Sequence, residues 1–274
     1  MGAFANIKAA LSRIEEFLDE PELIKYVRAL HGDHEDVRIQ NASLSWDSSP
    51  TGDNASELEI TLKKVNISVK QGKTVVLVGQ VGAGKSSVFG ALTNQMNLIE
   101  GSVELNSNVT IAPQEPWLMS GTVRENIIFG ALFDQKWYQK VVSSCGLLPD
   151  FKEFDMGDET SVGQEGIALS GGQRARIGLA RAIYQKPQVI LLDDPLSAVD
   201  RHVSKKIWNE CILDILRRVL FEIHSRFGSC VFIKYYTSIT RGFFSDWSVP
   251  FGTLGGSDFR NECILGFRKS VFGR

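Results

Sequence analysis

The sequence predicts an α/β fold, and three observations predict it. Residues 74–78 form a continuous apolar run, as expected of a strand buried on both faces. Residues 189–192 form a second such run, closed by two carboxylates, Asp193 and Asp194. Between the two, from Trp117 to about Ile183, the pattern is mainly helical with glycine-containing breaks. The first run feeds Gly79-Gln80-Val81-Gly82-Ala83-Gly84-Lys85-Ser86, which fits G-x-x-x-x-G-K-[ST] at every fixed position. Residues 86–92 begin the helix behind it. Strand, glycine loop and helix in that order form the context that a phosphate loop requires.

The remaining elements follow in chain order. The first twenty residues read as a helix: Phe4, Ile7, Leu11, Ile14 and Leu18 recur at spacings of three and four, on one face. Lys8, Arg13, Glu15, Glu16 and Asp19 take the other faces, so the stripe is expected to pack rather than lie on a membrane. Pro21 should end or kink the helix. A strand is expected over 37–46 and a surface loop over 47–57, where Ser, Asp, Asn, Pro and Gly gather. Residues 58–69 alternate partly, as a strand does, and 203–218 read as a helix. Residues 227–274 are rich in Phe, Ser and Gly and show no sustained period.

Composition narrows the class. At 274 residues, 43% hydrophobic and 23% charged, the chain can bury a sizeable core as one large domain or two small ones. Its formal net charge of -2 gives no electrostatic case for nucleic acid. Cys145, Cys211, Cys230 and Cys263 form no CxxC pair and no zinc spacing, so reduced, non-ligand thiols are expected. The N-x-S sequons at Asn41, Asn54 and Asn66 are read as chance matches, and His31, His34 and His202 as solvated residues. No stretch approaches the ~18–20 apolar residues of a membrane span, and residues 1–10 lack a long apolar signal core. The expectation is a chain that by itself neither spans a membrane nor is secreted.

The chemistry starts at the glycine loop. Glycines let the backbone curl so that several N–H groups point at one anion, and the helix N-terminus adds partial positive charge. Lys85 would reach the β- and γ-phosphates, and the Ser86 hydroxyl would be a Mg²⁺ ligand. Asp193, ending a buried strand, should emerge at the carboxyl edge of the sheet and hold Mg²⁺ directly or through water. Leu169-Ser170-Gly171-Gly172-Gln173 lies between the loop and that aspartate.

With these motifs in that order, the chain resembles the nucleotide-binding domain of an ATP-binding cassette (ABC) transporter. LSGGQ followed by Arg174-Ala175-Arg176 is similar to the family signature, residues 195–200 (PLSAVD) to its D-loop, and Gln114 to its Q-loop glutamine. The phrases VGQVGAGKSS (78–87), PWLMSGTVRENIIFG (116–130) and LLDDPLSAVD (191–200) resemble most the first nucleotide-binding domain of the C subfamily, the multidrug-resistance-associated proteins. The likeness covers about residues 37–216, and weakly 13–18. It implies a phosphate-loop NTPase of the ABC type: a mixed sheet core with an antiparallel part, and a helical subdomain carrying LSGGQ. It divides the chain into a helical linker from a transmembrane domain (1–36), the ABC domain (37–218) and a divergent tail of uncertain fold (219–274).

The resemblance also implies roles. Trp46 would stack on adenine, against the plainer reading of a strand-face tryptophan. Gly79 to Ser87 would hold the ATP phosphates. Gln114 would approach Mg²⁺ and the γ-phosphate. Ser170, Gly171, Gly172 and Gln173, with Asp200, would serve ATP held by a second nucleotide-binding domain in a head-to-tail dimer. The assembly would include transmembrane domains and sit at the cytoplasmic face of a membrane. Two departures bear on catalysis. Strongly hydrolytic cassettes carry glutamate as general base after the Mg²⁺ aspartate; here Asp194 is one methylene shorter. That pulls the carboxylate back by about 1.5 Å, where a ~1 Å misplacement can cost about a hundredfold. His224, closing the strand-like stretch 219–224, arrives early for the family's switch histidine and follows Ile223 rather than threonine. Beyond it the likeness ends. Three alternatives stay open: a binding-only regulatory ATP site, a non-functional truncated fragment, and a soluble ABC ATPase acting on DNA or ribosomes, the last disfavoured by the acidic balance.

Overall fold

In the computed structural model of the chain, the described residues are 2–19, 25–30, 35–46, 59–70, 73–79, 82–105, 109–163, 167–219, 230–236, 251–253 and 262–267. Two sheets share the core. The elements run α1 (Gly2–Leu18), β1 (Val27–Ala29), β2 (Glu35–Ser45), β3 (Leu62–Lys70), β4 (Thr74–Gly79), α2 (Lys85–Leu92), β5 (Asn97–Leu105) and β6 (Val109–Ala112). Next come β7 (Gly121–Thr122), α3 (Val123–Ile128), α4 (Gln135–Ser144), α5 (Leu148–Glu153), β8 (Ser161–Val162), α6 (Gly171–Tyr184) and β9 (Val189–Asp193). α7 (Arg201–Ile207) continues as a π-helix (Trp208–Val219), followed by β10 (Cys230–Tyr236), β11 (Phe251–Thr253) and β12 (Glu262–Phe267).

One sheet has the order β1-β5-β2-β3; its inner pairs β5–β2 and β2–β3 are antiparallel and β1 joins β5 in parallel. The other has the order β11-β12-β4-β10-β9-β6, and all its pairs are parallel. Alternation along β4 and β9 explains why both read as unbroken apolar runs. Val75, Leu77, Val189 and Leu191 face a core shared with β2, β3, β5 and α2. Val76, Ile190 and Leu192 face the other core, built with α3, α4, α6 and the α7 region. A strand buried on both faces has no reason to alternate in polarity.

Helix ends follow local chemistry. Thr122 and Glu125 form a capping box for α3, and Asp134 accepts from the Trp137 N–H to cap α4. Cys145 and Cys211 are free thiols buried in the helical core, their sulfurs 3.9 Å apart. No helix among the described residues is long and apolar enough to cross a membrane.

Three expectations meet a different arrangement. Ile7, Leu11, Ile14 and Leu18 of the α1 stripe are exposed rather than packed, Leu18 at 72% and Leu11 at 60%. The segment before residue 37 is not only helical: Tyr26 donates from its hydroxyl to the Ala91 carbonyl, and the Tyr26 and Val27 N–H groups donate to Asn94 Oδ1. These bonds seat β1 beside β5, a pairing too short to leave a periodic signal. The aperiodic tail supplies β10, β11 and β12, with β10 lying between β4 and β9. Strands of three to seven residues, defined by the strands they pair with, show little pattern in isolation. The predicted loop over 47–57 and the sequon Asn54 lie outside the described residues.

The two-sided burial sets a stability expectation. Leu192 is fully buried at the centre of the helix-side core. Leu192→Ala is expected to lower unfolding free energy by about 2–5 kcal/mol, read as a reduced urea midpoint with unchanged slope.

Candidate nucleotide-binding site

The parallel sheet gathers the predicted site on one edge. β4 and β9 both run toward it, separated by β10: Tyr236 pairs with Gly79, and Lys234 with Asp193. β6 runs the same way beside β9, Ala112 opposite Leu192, so Gln114 follows two residues past a strand end at the same edge. The glycine loop, Asp193 and Gln114 therefore leave parallel strands at the carboxyl edge, where open α/β sheets bind ligands. Gln114 is exposed there and Asp193 half-buried.

Within the loop, Gly82 and Gly84 take left-handed conformations, φ +78° and +74°, which explains glycine at both. Gly84 is the N-cap of α2 and no side chain caps it. Glycine-ended loops of this kind place the start of a helix, here one of eight residues, at a site suited to anions. Ala83 and Lys85 are buried, Lys85 at 2% exposure, while Ser86 is exposed at the helix start. Gln80 and Val81 lie outside the described residues.

Trp46 sits against the same helix. Its indole N–H donates to Ser87 Oγ at 3.1 Å. Its ring lies over Gly90, where an added Cβ would fall 2.4 Å from Trp46 Cη2. The residue as a whole stays 46% exposed.

Asp194 is 2% exposed and holds φ +45°, a left-handed conformation that aspartate adopts more readily than most side chains. Its carbonyl accepts from the Ser197 N–H at 3.2 Å and the Ser197 hydroxyl at 2.9 Å, closing the turn into 195–200. Asp200 caps α7, accepting from the N–H groups of His202 at 2.8 Å and Val203 at 3.5 Å. His224 lies outside the described residues; the strand ending at this edge between β4 and β9 is β10, which begins after it.

LSGGQ forms the N-terminus of α6. Ser170 Oγ accepts from the Gln173 N–H at 3.2 Å, and the Ser170 N–H donates to Gln173 Oε1 at 2.9 Å, a complete capping box. Gly172 approaches the turn after Asp194: an added Cβ would lie 2.8 Å from the Ala198 carbonyl oxygen. The contacts described for Gln173, Gly171 and Gly172 include Asp150 on α5 and Ala198 in the turn after Asp194.

The middle of α6 grips the segment behind Gln114. Gly178 leaves room for Pro116, whose Cγ would lie 2.4 Å from an added Cβ. The Arg181 guanidinium donates to the Trp117 carbonyl at 2.7 Å and to the carbonyl and Oδ1 of Asn126 at 2.8 and 2.7 Å. Burial lowers its pKa, and the Phe129 ring lies 4.8 Å away. Asn126, itself fully buried, donates to the Met119 and Thr122 carbonyls and accepts from the Met119 N–H. Sequence reasoning missed Asn126, Arg181 and Asp150, because each acts on a partner 20 or more residues away that no local pattern marks.

The chemistry of the donors fits magnesium: the Ser86 hydroxyl and the Asp193 carboxylate are hard oxygen donors of the kind Mg²⁺ takes, at the carboxyl edge of the sheet.

The ABC transporter family profile matches residues 62–197, which include the glycine loop, LSGGQ and Asp193. The chain belongs to the ABC transporter family. Its relatives include ATP-binding cassette sub-family C member 2 of Mus musculus, 39% identical over 209 residues, 75% of this chain and 13% of that protein. Multidrug resistance protein mrp-7 of Caenorhabditis elegans is 41% identical over 204 residues, 73% of this chain and 13% of the relative. ABC transporter C family member 9 of Arabidopsis thaliana is 36% identical over 229 residues, 82% of this chain and 15% of the relative. The cassette thus groups with the C subfamily, the multidrug-resistance-associated type, and spans about one seventh of the length of these relatives.

Proposed function

We propose that this cassette binds MgATP at residues 79–87 and hydrolyses it slowly, paired head to tail with a second cassette, to drive the transmembrane domains of an exporter at the cytoplasmic face of a membrane. The observation that carries this is the shared sheet edge. Parallel register gives the glycine loop, Asp193 and Gln114 one common side, with Trp46 fixed to the loop's helix. Adenine would stack on Trp46, and the phosphates would lie at the N-terminus of α2 with the Lys85 ammonium. Ser86 and Asp193 would hold Mg²⁺, which neutralises phosphate charge when bound. Ser170, Gly171 and Gly172 present a helix N-terminus that would meet the ATP of the partner cassette and make each site composite.

Hydrolysis would follow attack of a water oxygen on the γ-phosphorus with cleavage of the bond to the bridging oxygen, the water's proton passing to Asp194. A second reading, a site that holds ATP and leaves turnover to its partner, is favoured by Asp194 itself. Its side chain is one methylene short of glutamate and its backbone is fixed in a conformation that suits aspartate.

Two measurements test these readings. Lys85→Ala is expected to weaken MgATP binding by about tenfold or more in equilibrium titration, the loss of a charge-assisted phosphate contact; unchanged affinity would remove the phosphate loop from the proposal. Asp194→Glu is expected to raise ATP turnover of the paired cassette by about 10–100-fold, whereas no gain would assign the site to binding alone.

A further inference from the structure

We infer that Asp150 is a positioning residue for the LSGGQ loop, setting the orientation with which Ser170, Gly171 and Gly172 meet the phosphate of a partner-held ATP. The inference rests on the composite-site reading above. Asp150 stands in the first turn of α5, at 7% exposure. Arg176 Nη2 lies 2.7 Å from each of its carboxylate oxygens, and the Gln173 side-chain amide donates to Oδ1 at 3.1 Å. Arg176 is itself largely buried, its side chain 13% exposed, so the ion pair is shielded from water. Removing one partner of such a pair leaves the other charge buried without compensation.

The consequence for the loop follows from how Gln173 is used. Its oxygen accepts from the Ser170 N–H at 2.9 Å while its nitrogen donates to Asp150 at 3.1 Å. The amide is therefore occupied at both ends, and a carboxylate on α5 fixes the plane of the cap on α6. Gly172 is held from the other side, where only a hydrogen fits against the Ala198 carbonyl. The loop is braced between Asp150 and the turn that follows Asp194. A capping box needs only its own four residues; the Asp150 contact adds nothing to helix capping and instead selects one orientation for it.

A residue that merely supported the fold would affect both nucleotide sites or neither. A residue that sets the signature loop leaves the cassette's own phosphate loop untouched and alters only what the loop offers in trans. The experiment compares wild type, Asp150→Ala, Asp150→Asn and Gly172→Asp in the full chain, with three readouts: MgATP titration, MgATP-dependent association by light scattering, and amide exchange of Ser170 and Gln173. Expected for Asp150→Ala is MgATP affinity within about twofold of wild type, exchange at the two amides faster by about tenfold or more, and association weakened toward that of Gly172→Asp. Asp150→Asn, which keeps the shape and an acceptor oxygen, falls between and serves if the alanine variant does not fold. Wild-type exchange and association in Asp150→Ala would overturn the inference, as would a loss of MgATP affinity equal to the loss of association. If Gly172→Asp associates as wild type, the composite-site reading fails; accelerated exchange in Asp150→Ala would then stand as the clamp without a role in trans, and that too overturns the inference.

Discussion

β10 makes one site out of two motifs. β4, which delivers the glycine loop, and β9, which delivers Asp193, are not hydrogen-bonded to each other; each pairs with β10. Their relative register, and so the placement of Lys85 and Ser86 relative to Asp193, is transmitted through that strand's backbone ladder. Without it, two strands buried on both faces would carry rows of unpaired N–H and C=O groups in the core, a cost that buried backbone does not sustain. β6 extends the same parallel arrangement and carries Gln114 to the same edge. The gathering of these motifs is thus a consequence of strand register before it is a consequence of any side chain.

A second constraint connects that edge to the helical part. α6 makes three kinds of contact along its length. Its N-terminus holds LSGGQ against Asp150 and Ala198, its middle takes Pro116 against Gly178, and Arg181 ties down residues 117–126. The segments behind Gln114 and after Asp194 both leave the sheet edge and both touch this helix. Nucleotide-dependent movement of either would be felt by the loop proposed to serve the partner site. Asp194 sits at the junction, buried, left-handed, and bonded through its own carbonyl to Ser197. A residue held this firmly by its backbone has little freedom to recover the reach that a missing methylene removes.

Much of this was legible in the residues because the responsible physics is local or periodic. The phosphate loop is a contiguous pattern whose glycines answer to backbone angles, and Gly82 and Gly84 do take positive φ. The apolar runs at 74–78 and 189–192 follow from burial on two faces. LSGGQ is a contiguous five-residue motif. What was not legible depends on distance in the chain. β1 is a three-residue strand that only its partner β5 defines, and β10 carries no pattern apart from its neighbours. The exposed stripe of α1 reads as a packing face because periodicity reports amphipathicity, not the presence of a cover. Asp150 reads as an ordinary acidic residue after a proline in a helix's first turn, favourable there through the helix dipole alone; its partners lie 23 and 26 positions downstream.

The central claim is that the phosphate loop and Asp193, carried on separate strands, act on one metal–nucleotide complex. Electron paramagnetic resonance of Mn²⁺, used in place of Mg²⁺, tests it most directly in titrations of wild type and Asp193→Asn with and without ATP. The account predicts that Asp193→Asn weakens Mn²⁺ binding in the presence of ATP by about tenfold while metal-free ATP binding stays as in wild type. Equal Mn²⁺ affinity in the two proteins at saturating ATP would contradict it.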